Sequence, residues 1–338
     1  MKKIRWAVIG AGGIADRRGI PGLLADPKNE IVAMMDKMLP VAKQVAEKYL
    51  VSLYFDDAEE MLKAVKCDAV YIATPVFCHY DQAMLALKYG IHAFIEKPLA
   101  MNAKECKKIV DAFKKKNLQL TVGYMMGYHN LHGKMREIIK NDGIGRVSSV
   151  RFQFSCWYPD IPGAWRQKKA LGGGGCIMDL AVHCMELYTS VTGDRIEDVM
   201  AYYATNSFKY EVEDSAVIIF KGECGSLGSI EVNFNVPDNA ATSKAEIYGT
   251  KGSLIAEATL GQEEVGKLKY TFAPQGDYEA NQDRVVNKAR VYYGNKGNIY
   301  TKQFAAFNKL ITSGKPDYTN AENAINIQSL CDKIYSGK

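Results

Sequence analysis

The sequence predicts an N-terminal α/β domain built on a doubly wound parallel sheet, followed by an α+β domain with a large, open, mostly antiparallel sheet. Three observations predict it. The apolar run at residues 4–9 leads directly into Gly10-Ala11-Gly12-Gly13-Ile14-Ala15; strand-length and helix-length segments then alternate to residue 122; and beyond residue 193 strand-length segments follow one another across short turns. Alternation of strand and helix specifies a parallel sheet, whereas successive strands on tight turns specify antiparallel pairing. A chain of 338 residues exceeds one typical core. We therefore expect a nucleotide-binding domain at 1–122 and a substrate and oligomerisation domain at 123–338, with the C-terminal helices packing back on the first.

Composition narrows the function classes. The net charge is only +5, and the 43 basic residues are dispersed rather than gathered into a stripe, so no nucleic-acid partner is expected. The eight cysteines include no Cys-x-x-Cys pair, which reads as reduced thiols in a cytoplasmic protein. The apolar run at residues 6–9 is too short for a secretory signal, and no stretch approaches the ~20 apolar residues of a membrane span.

Taken in order, the first strand and its glycines match the dinucleotide fingerprint GxGxxG/A. The first glycine permits a tight turn, the second lets backbone approach a pyrophosphate, and the small sixth residue lets helix pack on strand. Gly10, Gly12, Gly13 and Ile14 are thus candidate cofactor contacts. A second strand at 30–35 ends at Asp36, roughly 20 residues on, where an acid accepts bonds from ribose hydroxyls and repels a 2′-phosphate. That favours NAD over NADP, and Lys37 beside it softens the preference. Helices follow near 40–49 and after Asp57, then a strand at 69–73 that ends at Thr74-Pro75. Further helices are expected at 78–89 and from Asn102, whose partner Glu105 resembles a capping box. Ligands of such sheets lie beyond the strand C-termini, which brings forward Thr74, Pro75 and His79 at one end and Glu96-Lys97-Pro98 at the next. A lysine before proline is denied helical backbone, so Lys97 is expected in an extended or turn conformation there. His79 is expected near a helix start, touching cofactor or backbone.

The second half opens with His129 and His132, a spacing that zinc tolerates, but no third ligand completes a site and no metal is expected. A strand at 146–158 leads to Trp165-Arg166. Four glycines, 172–175, then run into a helix with Asp179 and His183 four residues apart, a spacing that projects both from one face. Alone, such a pair is an ordinary helix-surface contact. Glu186 and Ser190 extend the polar face, opposite Ile177, Leu180, Cys184, Leu187 and Val191, so this helix is expected to bury one side only. Strands are then expected at 196–205, 214–220, 226–235, 243–248, 254–258 and 267–272. The polar segment 285–298 reads as a loop over the site, with Tyr300 beside the nicotinamide and helices at 301–312 and 321–335.

Together GAGGIA, the ATP at 73–75, EKPLAMNAKE, VGYMMGYH and GGGGCIMDLAVH resemble the glucose-fructose oxidoreductase, inositol dehydrogenase and rhizopine catabolism (Gfo/Idh/MocA) family across nearly the whole chain. The resemblance implies a Rossmann domain binding NAD, with NADP second, and a carbohydrate or cyclitol substrate. It implies that Lys97 is catalytic, that Asp179 and His183 line the substrate site, and that Trp165 and Arg166 lie beside it. The glycine run is then expected to approach substrate or nicotinamide closely. The open sheet is expected to form homodimers or homotetramers. The reaction so implied is hydride transfer between nicotinamide and a secondary hydroxyl or ketone, with His183 as base, Lys97 on the alkoxide and Asp179 orienting. Two alternatives stand beside it: glycoside cleavage through transient oxidation by a retained NAD, and a non-catalytic NAD-binding regulator.

Overall fold

The computed structural model describes residues 3–273, 276 and 288–337. The chain forms two compact units, each drawn from separated segments. One comprises Met1–Met125, Ala164–Gly173 and Asn298–Asp332; the other comprises Met126–Gly163, Gly174–Gly297 and Lys333–Lys338.

The first unit holds a six-stranded parallel sheet. Its strands are β1 (Ile4–Ile9), β2 (Asn29–Met35), β3 (Tyr54–Phe55), β4 (Ala69–Ile72), β5 (His92–Ile95) and β6 (Leu120–Val122), in the order β3-β2-β1-β4-β5-β6. Strand order reverses between β1 and β4, which opens a crevice at their C-terminal ends. The central strands are buried on both faces, as their continuous apolar runs require. Helices start where their caps predict: Asp57 accepts from Glu60 N at 2.9 Å, and Asn102 accepts from Glu105 N at 2.9 Å. The helix Ile299–Ser313 covers the sheet with Phe304 and Phe307. Phe304 lies 5.6 Å from Trp6, 5.2 Å from Tyr71 and 4.6 Å from Phe94, ring centre to ring centre. The sheet edge at β6 is closed by a side chain, since Asn320 accepts from Val122 N at 2.7 Å.

The second unit holds an eight-stranded sheet: β7 (Val147–Ser155), β8 (Ile196–Ala204), β9 (Ser215–Gly222), β10 (Leu227–Asn233), β11 (Lys244–Gly249), β12 (Gly252–Glu257), β13 (Lys267–Phe272) and β14 (Arg290–Tyr293). The order is β14-β13-β12-β11-β7-β10-β9-β8, antiparallel throughout except where β10 runs parallel to β7. Both sheets have the predicted classes. The expected loop at 285–298 is corrected in part: Arg290 to Tyr293 pair with β13, while residues 285–287 lie outside the described residues. An edge strand with both faces mostly exposed has no apolar alternation to announce it.

One face of this sheet packs under the helix Val182–Thr192, with Tyr188 stacked edge-on to Phe220 at 4.9 Å. The helix is not one-sided as its sequence suggests: from Val182 to Tyr188 every residue is buried. Its supposed polar face lies under the helix Asn130–Lys140 and the turn before it. Glu186 packs against Gly127, where an added Cβ would stand 3.4 Å from its carboxylate, and Glu186 Oε2 has no hydrogen-bond partner among the described residues. The nearby Arg136 guanidinium donates instead to the carbonyls of Ser190 and Gly127. Burial pushes the Glu186 carboxyl up to about 8, with Arg136 opposing weakly.

That shift sets the direction of a pH effect. The unfolded chain releases this proton near 4.5 and the folded chain holds it to about 8, so stability falls as pH rises between the two values. Glu186→Gln should therefore melt at a higher temperature than the wild type at pH 8, with the gap closing toward pH 4.5. Thermal melts across that range check this; a gap independent of pH would refute it.

Candidate active site

In the first unit, the fingerprint turn sits where the strand order reverses. Gly10 has φ of +86°, and a Cβ there would lie 2.8 Å from Thr74 N, so β1 and β4 end in contact only because residue 10 lacks a side chain. Gly12 donates its N–H to Asp36 Oδ2 at 3.2 Å, and Met38 N donates to Oδ1 at 3.1 Å. These bonds fix the carboxylate at the end of β2. Lys37 is exposed next to it. Gly13 has φ of +55°, and a Cβ there would meet nothing within 4 Å, so the backbone after Gly12 is open on that side. Ile14 comes next, half-buried, at the entry to a wide helical turn, Ala15–Gly19. Two glycines not singled out by the fingerprint press this helix home. A Cβ on Gly19 would lie 2.4 Å from the Tyr71 ring, and one on Gly22 would lie 2.5 Å from Tyr300 Cβ. Tyr300 is therefore a buried packing residue of this unit.

At the next strand ends, His79 binds backbone. Its Nδ1 lies 2.9 Å from the Pro98 carbonyl and its Nε2 lies 2.9 Å from the Thr74 carbonyl. The ring is buried with a backbone carbonyl beside each nitrogen, the backbone contact being one of the two that the sequence suggests, and His79 braces the Thr74-Pro75 loop against the Lys97-Pro98 loop. Burial pushes its pKa below the ordinary value, and the two carbonyls oppose this. Thr74 donates its hydroxyl to Gln82 at 2.6 Å, and Pro75 is half-buried beside it. Glu96 is also buried; it accepts the Tyr71 hydroxyl at 2.6 Å and lies against Gly123, where a Cβ would be 3.0 Å away. Burial pushes the Glu96 carboxyl up, opposed by Tyr71 and Lys97. Lys97 itself is half-buried on a cis peptide to Pro98. Trp165 and Arg166 belong to this same unit, in the turn Trp165–Gln167, with the guanidinium 4.5 Å over the indole ring. The following turn, Lys169–Gly172, packs beside Val76–Cys78, so the pair lies near the Thr74 strand end.

In the second unit, the segment Ile177–Ala181 is a π-helical turn that passes into Val182–Thr192. The wider turn alters the angle expected between Asp179 and His183 on a regular α-helix, and such turns often mark functional sites. Between Gly174 and Tyr188 every residue is buried except Asp179, which is half-buried. His183 is buried, with the Phe154 ring 6.5 Å away and nearly perpendicular. The glycine run is required by the protein's own packing. A Cβ on Gly172 would meet the Arg166 carbonyl at 2.9 Å, Gly173 has φ of +77°, and Gly174 and Gly175 lie against Tyr335 and Glu213. His129 and His132 serve the same unit's packing: His129 caps its helix at Leu131 N, and His132 lies between the Met126 carbonyl and Thr259 Oγ1. Among the described residues no group of three His, Cys, Asp or Glu side chains is placed to hold a metal, and no helix is long and apolar enough to cross a membrane.

Comparison with known proteins agrees with this arrangement. Residues 4–124 match the oxidoreductase family with an NAD-binding Rossmann fold, and residues 132–255 match the Gfo/Idh/MocA C-terminal domain. The chain is 27% identical over 320 residues to 1,5-anhydro-D-fructose reductase of Ensifer adhaerens, covering 94% of this chain and 91% of that protein. It is 31% identical over 192 residues to D-glucoside 3-dehydrogenase of Escherichia coli K12, covering 56% of this chain and 54% of the other. Among solved structures, levoglucosan dehydrogenase in complex with NADH and levoglucosan superposes with a TM-score of 0.86 at 21% identity, over 99% of this chain and 97% of that one. With both domains matched in order and the fingerprint glycines at the sheet's reversal point, the chain belongs to the Gfo/Idh/MocA family of NAD(P)-dependent oxidoreductases.

Proposed function

We propose that this enzyme moves hydride between NAD and a secondary hydroxyl or ketone of a sugar, glycoside or cyclitol. The observation that carries the reading is Asp179, the one half-buried residue in an otherwise buried stretch of a family member similar to 1,5-anhydro-D-fructose reductase and D-glucoside 3-dehydrogenase. The fingerprint end suits a dinucleotide: the open backbone at Gly13 leaves room for a pyrophosphate, and Asp36 is fixed where ribose hydroxyls require an acceptor. Gly10, Gly12, Gly13, Ile14 and Asp36 would hold the cofactor, with Thr74, Pro75 and Glu96 shaping the neighbouring strand ends. When bound, NAD supplies the hydride-accepting chemistry.

The remaining work falls to side chains. Oxidation of a carbinol releases a proton, and His183 takes it, an imidazole being suited to proton transfer near neutral pH. The Lys97 ammonium stabilises charge developing on the alkoxide oxygen. Asp179 orients His183 or binds an adjacent hydroxyl, and Trp165 offers an aromatic face to a sugar ring while Arg166 binds hydroxyls.

We further infer that a second copy of the chain covers the free face of the eight-stranded sheet. Tyr202 and Met200 are 90% and 69% exposed, and their cross-strand neighbours Val217 and Ile219 are 51% and 54% exposed. Four adjacent large apolar side chains in water are the mark of an interaction surface, and closed symmetric pairing is its usual occupant.

Each of these assignments has a measurable consequence. His183→Ala and Lys97→Met should each lower kcat by about 10²–10⁴-fold while NADH binding stays within about twofold. Wild-type turnover in either variant, at saturating NAD and a polyol or glycoside that the wild type oxidises, would overturn the roles. Asp36→Ser should shift the NAD to NADP ratio of kcat/KM toward NADP by about tenfold, or ~1.4 kcal/mol. An unchanged ratio would remove Asp36 from the ribose site. Ile219→Asp should convert a dimer or tetramer to a smaller species in light scattering; an unaltered mass would place the interface elsewhere.

A further inference from the structure

The helix that carries Asp179 and His183 begins with three successive backbone amides, and one residue takes all three. Glu213 Oε1 accepts from Gly175 N at 2.9 Å and from Ile177 N at 3.0 Å, while the Glu213 carbonyl accepts from Cys176 N at 3.1 Å. Tyr335 donates its hydroxyl to the same Oε1 at 2.7 Å. The Glu213 side chain is buried. Burial pushes its pKa up, while Tyr335 and the amides pull it down. The fit leaves no slack, because a Cβ on Gly175 would lie 2.0 Å from the Glu213 carbonyl oxygen and one on Gly174 would lie 1.9 Å from the Tyr335 hydroxyl.

An unheld helix start leaves its first amides unsatisfied and is free to fray or to change between turn types. Here two of the three residues gripped through their N–H groups, Gly175 and Ile177, also shape the next turn of the chain. Gly175 offers its carbonyl to Asp179 N at 3.0 Å, and Ile177 offers its carbonyl to Val182 N, closing the wide turn. The grip therefore passes through single residues, from N–H to carbonyl, to the backbone of Asp179 and to the residue preceding His183.

We propose that Glu213, seconded by Tyr335, is a positioning residue: it fixes the π-helical turn so that Asp179 and His183 are presented at the angle the reaction needs. The proposal rests on the proton-handling roles given above to Asp179 and His183. It assigns the work to the geometry of an acceptor oxygen. A glutamine in the same place keeps that acceptor, and an alanine does not.

The test uses the full-length chain with NAD and whichever of levoglucosan, methyl β-glucoside or myo-inositol the wild type oxidises, together with ¹⁵N-imidazole titration of His183. Glu213→Ala should lose about 10- to 100-fold in kcat, with NADH affinity unchanged, because misplacement of about 1 Å costs on that order. Its His183 titration should move by about half a pH unit or more. Glu213→Gln should recover most of both. A folded Glu213→Ala with wild-type kcat and titration overturns the proposal, as does a Glu213→Gln no better than alanine. If Glu213→Ala does not fold, Tyr335→Phe carries the test, with an expected loss in kcat of about 3- to 10-fold at unchanged NADH affinity; a wild-type value overturns it. Full turnover in Asp179→Asn and His183→Ala would instead sink the site assignment itself, so the two failures are told apart.

Discussion

In both units a carboxylate supplied from elsewhere in the chain holds an amide at a glycine turn, and the local backbone of each turn depends on this constraint. Asp36 holds Gly12 N at the fingerprint, and Glu213 holds Gly175 N and Ile177 N ahead of Asp179. Backbone groups withdrawn from water must be paired, and an acid at the positive end of a helix pairs them well. At Gly175 glycine is required, since a Cβ would lie 2.0 Å from the Glu213 carbonyl oxygen, whereas at Gly12 one would stand 3.4 Å from Asp36 Oδ2.

Around these anchors the first unit is assembled at the strand ends by braces more than by the fingerprint alone. Gly10 lets β1 and β4 end in contact, His79 ties the Thr74 carbonyl to the Pro98 carbonyl, and Tyr71 grips Glu96 next to Lys97. The His79 and Tyr71 braces each spend a polar side chain in a buried setting, where a hydrogen bond is rigid and a missing one is costly. Lys97 is thereby carried on a loop held on two sides.

Much of this is legible in the order of the residues. The parallel sheet follows from continuous apolar strands, the crevice from the glycines and Asp36, and the caps at Asp57 and Asn102 from their partners three residues on, all short-range patterns. The features that escape are set by partners far away in sequence. Glu213 and Tyr335 carry no local signal of their grip on residues 174–177, and Glu186 and Ser190 look solvated until the helix Asn130–Lys140 is laid over them. The helical wheel misreads that face because periodicity records which residues are polar and not what covers them. The π-helical turn escapes for the same reason, its register being imposed from outside. The strand at Arg290 to Tyr293 escapes because an exposed edge needs no apolar alternation.

The helix Ile299–Ser313 has a consequence for how the chain is made. Trp6, Tyr71 and Phe94 belong to the first sheet to leave the ribosome, yet the rings that cover them, Phe304 and Phe307, are translated only after the whole of the eight-stranded sheet. Until then the parallel sheet has a bare aromatic face, and slowly assembled parallel sheets with exposed apolar surface invite wrong association. The nascent first domain is thus held open by its own gene order, and the step that closes its core comes near the end of synthesis.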